Sequence, residues 1–217
     1  MINNYCLYYV PKANSKDVND MLMIFYGENK LVNKREISND LILLKNNDEV
    51  IGYVIPNFSN YCKMKINGTI YLPNDQLIDL INDILINHKL DTLAYRSNSG
   101  LYVGKIVDKK EHHKSFIYKV DIKNDVFTTE STFDIPLDTK LVFAKTGTYL
   151  MPGRMINDYV TQDKIALSGR IVTYEDLEMN IEDPYSPILV MDDFNVGDDF
   201  FLMEEKTDAW DWTKETR

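Results

Sequence analysis

From Leu101 to about Phe201 the chain is cut by turn residues into short apolar runs, "LYVGKIVDKK", "SFIYKVDIK", "DVFTTEST", "KLVFAKTG", "IALSGRIVT" and "PILVMDDF". None of them carries the 3.6-residue period of an amphipathic helix. Runs this short reach a common core as strands, and a small sheet has exposed edges unless it closes on itself. The pattern therefore predicts a small closed barrel, five-stranded and of the OB type with Greek-key connections. A small sandwich is the competing arrangement. The stretch "LVFAKTGTYLMPGRMI" (141–156) is the sharpest local feature, because an apolar strand runs into Lys145 and two glycine breaks. Read alone, it is either a strand closed by a turn or a turn that presents Lys145 and Arg154 to an anionic partner.

The first hundred residues have a different texture. "NYCLYYV" and "MLMIFY" are rich enough in aromatic and aliphatic residues for strands. "LILLKNNDEVIGYVIP" reads as a hairpin turning at Asn-Asn-Asp and closed by Pro56. In "YLPNDQLIDLINDILINHKL", Leu77, Leu80, Ile81, Ile84, Leu85 and His88 recur at helical spacing, so a helix is expected over 74–88, capped by Asn74 or Asp75. His88 beside that stripe reads as a packing or capping residue. "AYRSNSG" (94–100) is short, polar and glycine-ended, as a linker would be. The expected fold class is an α+β N-terminal domain (1–98) followed by an all-β OB-fold barrel (101–205), with an acidic, Trp-containing tail (206–217).

Charge is distributed unevenly. The chain has a formal net charge of −10, yet residues 101–173 hold 11 Lys/Arg against 9 Asp/Glu, and residues 174–217 hold 3 against 14. The acidity is therefore concentrated in the C-terminal segment, and the slightly basic middle leaves a phosphate-bearing partner open. No run approaches the length of a membrane span, and the first residues lack the basic and apolar regions of a secretory signal. Cys6 and Cys62 make no disulfide framework, so the expected location is the reducing cytoplasm.

The usual catalytic motifs are absent from the sequence: no nucleophile elbow, phosphate loop, HExxH or Rossmann glycine pattern. His112 and His113 are adjacent, and on a strand they would point to opposite faces, which argues against a shared metal. The acids of "MDDFNVGDDFF" lack the order of a calcium loop and read as turn acids. No cofactor and no catalysis are expected. Lys105, Lys109, Lys110, Lys114, Lys119 and Lys123 fall within one hairpin with Phe116 and Tyr118 between them, and Lys145, Arg154, Lys164 and Arg170 follow. A positive surface interleaved with aromatic rings suits single-stranded nucleic acid, although lysines on a solvated strand face are ordinary.

Taken together, "YVGKIV", a histidine eight residues after its glycine, "YKVDI", "KLVFAKTGTYLMPG", "SGRIVT" and "VMDDFNVGDDFF" occur in the order found in the EMAP-type tRNA-binding domain. That OB-fold module is appended to some methionyl-tRNA synthetases and lies near the start of the bacterial phenylalanyl-tRNA synthetase β chain. "EVIGYVIPNFSNYCKMKINGTIYLPNDQLIDLINDIL" is similar to the N-terminal domain of the free-standing two-domain bacterial proteins of the YtpR type. The resemblance aligns Gly104 with the family's opening glycine, His112 and Lys114 with its His-Pro-x-Ala-Asp-Lys-Leu loop, Gly169 with its Ser-x-Gly-Met glycine, and Thr173 with a small hydroxyl position. The chain departs from the family at "HHKSF", at "ESTFD" (Asp134 where an asparagine amide is expected), at "QDK" and at "LSGR".

The resemblance implies a non-enzymatic binder of tRNA or structured RNA. Its contacts would come from His112, Lys114, Lys145, Arg154, Ser168, Arg170 and Thr173. An aminoacyl-tRNA synthetase or another translation protein is the implied protein partner, and a homodimer is compatible with it. The alternative is a module of the same fold that has lost tRNA and serves protein interaction. Trp210 and Trp212 flank Asp211 in the tail, so an extended chain would put both rings on one side, as an anchor for docking.

Overall fold

The computed structural model of the protein describes residues 1–12, 19–38, 40–179 and 187–202. In chain order the first elements are β1 (Cys6–Val10), β2 (Met21–Phe25), β3 (Lys34–Ser38), β4 (Leu41–Asn46), β5 (Glu49–Pro56), β6 (Gly68–Ile70) and helix α1 (Asp75–Asn87). They are followed by β7 (Leu101–His112), β8 (Ser115–Asp121), β9 (Val126–Ser131), β10 (Lys140–Ala144), β11 (Tyr149–Met151) and β12 (Arg154–Met155). Last come β13 (Tyr159–Val160), β14 (Ala166–Leu167) and β15 (Arg170–Ile171). Two units result. The first comprises Met1–Ser97 with Tyr149–Met155, and the second Asn98–Thr148 with the described residues from Ile156 onward.

In the first unit six antiparallel strands follow the order β3-β4-β5-β2-β1-β6. The two-residue side-chain period sorts them into two faces. Leu7, Tyr9, Leu22, Ile24, Tyr53 and Ile55 share one core with Ile78, Ile81, Ile84 and Leu85 of α1. Cys6, Phe25, Leu44 and Val54 make a second cluster with Tyr149. The β11–β12 hairpin is tied in by hydrogen bonds: the Tyr71 hydroxyl donates to Leu150 O at 2.7 Å, and Glu28 N donates to the Tyr149 hydroxyl at 3.2 Å. Asn74 caps α1, its side-chain oxygen accepting from Leu77 N at 2.9 Å. His88 closes the helix, its Nε2 lying 2.9 Å from Asp40 Oδ1. The outermost strand, β3, carries Lys34, Arg35 and Glu36, charges that discourage pairing of this edge with another chain.

In the second unit five antiparallel strands follow the order β15-β10-β7-β8-β9. A bulge between Ile106 and Asp108 in β7 shifts the register and leaves Val107 exposed. The sheet curls until its two sides meet: Ser168 N donates to Thr128 O at 2.8 Å, and Thr129 Oγ1 donates to Gly169 O at 3.1 Å. Gly169 is required at this closure. Its φ is +73°, and a Cβ there would lie 2.2 Å from Phe143 Cζ. Ile106, Tyr118, Val120, Ile122, Leu141, Phe143, Ile171 and Ile188 fill the interior. At one end the buried Asp199 carboxylate accepts from Ser99 N (2.7 Å), Ser99 Oγ (2.8 Å) and Phe201 N (2.9 Å), which pins the start of β7.

These elements overturn the fold class read from the sequence. Of the described residues 42% are extended and 10% helical, and α1 is the one α-helix. The first unit is a six-stranded sheet curved as a half-barrel with a single thirteen-residue helix on it, not a substantial α+β domain. The description α+β followed by an OB-fold does not hold, and the chain is mostly β in both units. The error has a physical source: "KREIS" and "GTI" form edge strands β3 and β6, which need no apolar alternation because only one flank pairs. The tail with Trp210 and Trp212 lies outside the described residues.

Replacing Gly169 by Ala should destabilise the second unit by roughly 1–3 kcal/mol, through the overlap with Phe143 and the strained backbone. Urea unfolding followed by circular dichroism measures this as a lower midpoint.

Candidate functional site

Where the sheet of the second unit meets itself, β13 and β14 lie beside β9. The short β13–β14 ladder pairs Tyr159 with Leu167 and Val160 with Ala166. Its turn is held by Thr161 N donating to Ile165 O at 2.9 Å and Ile165 N donating to Thr161 Oγ1 at 3.1 Å. Between this ladder and β9 runs a groove of about 340 Å³ lined by Val126, Phe127, Asp158, Tyr159, Val160 and Ser168, among others. Tyr159 and Val160 are exposed, while Phe127 packs on Phe143 with ring centroids 5.3 Å apart. The Lys145 ammonium lies 5.5 Å from the Phe127 ring and 5.7 Å from the Tyr102 ring, within reach of a cation–π attraction.

A polar network adjoins the groove. Glu130 accepts from the Ser115 hydroxyl and, at 3.2 Å, from the Tyr159 hydroxyl, and its Oε1 lies 3.4 Å from His112 Nδ1. On the other side of the ring, His112 Nε2 is 2.9 Å from Asp163 Oδ2, and His113 Nε2 is also 2.9 Å from that oxygen. The hydrogen bond from Ser115 holds the Glu130 carboxyl below its usual range, with His112 and Tyr159 adding to the effect. Hydrogen bonds from His113 and then His112 lower Asp163 in the same sense. Burial raises the Tyr159 phenol, the Glu130 charge adds to this, and the Arg170 charge opposes it.

The seven residues singled out in the sequence are dispersed. Ser168 lines the groove, its Oγ 3.2 Å from Thr146 Oγ1, and Lys145 lies over one of the groove's rings. His112 ends β7, and Lys114 is exposed in the β7–β8 turn with no ionic partner among the described residues. Arg170 and Thr173 both turn to the buried Asp176: Arg170 through a guanidinium–carboxylate pair at 2.9 Å, Thr173 through its backbone N–H at 3.0 Å and its hydroxyl at 2.9 Å. Arg154 sits on β12 and belongs to the first unit. Tyr118, read as an interleaved aromatic ring, is fully buried, and its hydroxyl donates to Phe133 O at 2.7 Å.

Three of the six hairpin lysines are paired with carboxylates, and so is Lys145 beyond the hairpin. Lys105 lies 3.0 Å from Asp138, Lys119 lies 3.4 Å from Asp108, and Lys145 lies 4.0 Å from Asp125. Lys109 pairs with Asp134. The sequence reading missed Phe127, Tyr159, Glu130 and Asp163. Glu130 and Asp163 carried a signal, as members of the segments "ESTFD" and "QDK" that depart from the resembled family. The objection to paired histidines also fails here: His113 occupies the turn with φ +54°, which brings its ring to 4.5 Å from that of His112. Among the described residues no helix is long and apolar enough to cross a membrane.

No family model matches the chain, and no curated protein matches it.

The lowered pKa of Glu130 gives a signed pH dependence. Because the folded value lies below the ordinary 4.5, the carboxylate contributes stability above that pH, and the contribution is lost as pH falls through the folded value. In Glu130→Gln the drop in melting temperature between about pH 6 and about pH 3.5 should be smaller than in the parent protein. Calorimetry of the two proteins checks it.

Proposed function

We propose that the protein is a non-enzymatic RNA-binding module whose partner is tRNA or a similarly structured RNA. The observation that carries this reading is the groove beside β9, lined by Phe127 and Tyr159, with the Lys145 ammonium 5.5 Å from the Phe127 ring. Ring faces accept stacked bases without regard to sequence, and a cation beside them meets the phosphate that follows. Ser168 and Thr128 supply hydroxyls at the groove wall, and Lys114 in the β7–β8 turn is a cation without an ionic partner among the described residues, suited to 2′-hydroxyl and backbone contacts. The ordered resemblance to the EMAP-type tRNA-binding domain supports the same reading, with a cytoplasmic setting and a translation protein as the companion partner. On this reading the ion pairs of Lys105, Lys119 and Lys145 are no obstacle. Exposed pairs are worth about 0.2–1 kcal/mol, and a phosphate can replace the carboxylate at little cost.

A second reading has one observation in its favour. The same lysines are already neutralised, and the groove rim presents Val126, Tyr159 and Val160 to solvent at 58%, 50% and 66% exposure. An apolar rim with internally balanced charge suits a protein segment. The two readings differ in salt dependence.

A mobility-shift series with total tRNA at increasing salt, with DNA of equal length as control, decides between them. RNA binding should weaken by about 0.7–0.9 log units in affinity per log unit of salt for each phosphate neutralised. The double variant Lys114→Glu/Lys145→Glu should bind about tenfold or more weakly at low salt, with a slope reduced by about 2. Absence of a salt-dependent shift with the parent protein would remove the RNA reading and leave protein interaction.

A further inference from the structure

We propose that His112, His113 and Asp163 form a binding site for a borderline first-row divalent cation, of which zinc is the representative. The inference does not rest on the RNA reading. Two turns build the site. The β7–β8 turn carries both histidines, and the left-handed conformation of His113 folds its ring onto the side that His112 occupies. The β13–β14 turn carries Asp163. One ligand atom from each of the three side chains lies within 4.8 Å of the others, and both Nε2 atoms are 2.9 Å from the same carboxylate oxygen. Bonds of about 2.0–2.1 Å to a tetrahedral ion place ligand atoms about 3.3 Å apart, so the two nitrogen–oxygen separations open by a few tenths of an ångström while the exposed His113 ring swings its nitrogen toward that of His112.

The hydrogen-bond inventory of His112 calls for positive charge at this place, either a proton on the ring or a metal ion. A neutral imidazole has one N–H and one lone pair. The His112 ring, whose side chain is 14% exposed, lies between two carboxylates, with Nδ1 facing Glu130 and Nε2 facing Asp163. Neither carboxylate can donate while ionised, so one nitrogen lone pair of the neutral ring would oppose an anionic oxygen. A proton on the second nitrogen satisfies both carboxylates, and so does a metal ion between Nε2 and Asp163; with the ion bound, Nδ1–H donates to Glu130 and Nε2 turns its lone pair to the ion. Glu130 then acts as a positioning residue, fixing tautomer and ring orientation, and is itself held by the Ser115 and Tyr159 hydroxyls. Two nitrogens and one oxygen suit zinc, cobalt, nickel or copper, whereas calcium and magnesium prefer oxygen ligands. Three protein ligands leave a fourth position for water or for a group on a partner.

The test uses the full-length protein, stripped with a chelator and titrated with Co²⁺ near neutral pH. We expect one equivalent to produce visible d–d absorption of four- or five-coordinate intensity, displaced stoichiometrically by Zn²⁺. His113→Ala and Asp163→Asn should each abolish the band, and Glu130→Gln should weaken affinity about 10–100-fold while one equivalent still binds. Both His113 and Asp163 are exposed turn residues, so these variants keep the fold, which circular dichroism verifies. The double variant Cys6→Ser/Cys62→Ser should leave the band unchanged, which excludes thiolate ligation as its source. Absence of the band in the parent protein, or its survival in the His113 and Asp163 variants, would overturn the site. Unchanged affinity in Glu130→Gln would overturn the positioning role.

Discussion

Two hydrogen bonds, Ser168 N to Thr128 O and Thr129 Oγ1 to Gly169 O, join one side of the second unit's sheet to the other. What is described of the functional surface depends on that closure. It lays β14 along β9, so a groove forms with aromatic residues from both sides, and it carries the β13–β14 turn toward the end of β7. Without it Thr128 O and the Thr129 hydroxyl of β9 would lack these partners, and Asp163 would have no reason to meet two histidines some fifty residues earlier. Gly169 makes the closure possible by admitting Phe143 where any side chain would stand.

Magnitude separates two kinds of charge pairing in this unit. The pairs of Lys105, Lys119 and Lys145 are at least a third exposed, screened by salt, and cheap to exchange for another anion. Asp176 is 3% exposed and Asp199 is 8% exposed, and each accepts several hydrogen bonds. Removing such a carboxylate strands buried donors, a loss of about 1–3 kcal/mol for each. A basic residue counted from the sequence thus belongs to one of two classes, solvent-facing and exchangeable or committed to the fold. Arg170 belongs to the second, because its partner is buried.

The sequence was legible where burial imposed a period. The stripe of Leu77, Leu80, Ile81, Ile84, Leu85 and His88 marks α1, although the buried face also holds Ile78, which that stripe leaves out, and the apolar runs mark β1, β2, β4, β5, β7, β8 and β10. It was illegible where strands lie at an edge, as in β3 and β6, since one free flank relaxes the demand for alternation. Site residues fared worse for a related reason. Ser168 and Lys145 border the groove, but Phe127 and Tyr159 resemble any core aromatic until the topology places both along one groove. The meeting of His112 with Asp163 is set by turn conformation, and adjacency in the chain pointed the other way because it assumed extended backbone at His113.

The hairpin Tyr149–Met155 has a consequence for how the chain comes off the ribosome. Tyr149 packs with Cys6, Phe25, Leu44, Ile51 and Val54, and the hydroxyl of Tyr71 reaches Leu150. One face of the first sheet therefore stays wet after residue 97 has been made, until more than fifty further residues have been added. At roughly 5–20 residues per second that interval lasts about 3–12 s. During it an apolar surface built around Phe25 is open to chaperones or to another nascent chain, so the order of synthesis and the order of burial run out of step in this protein.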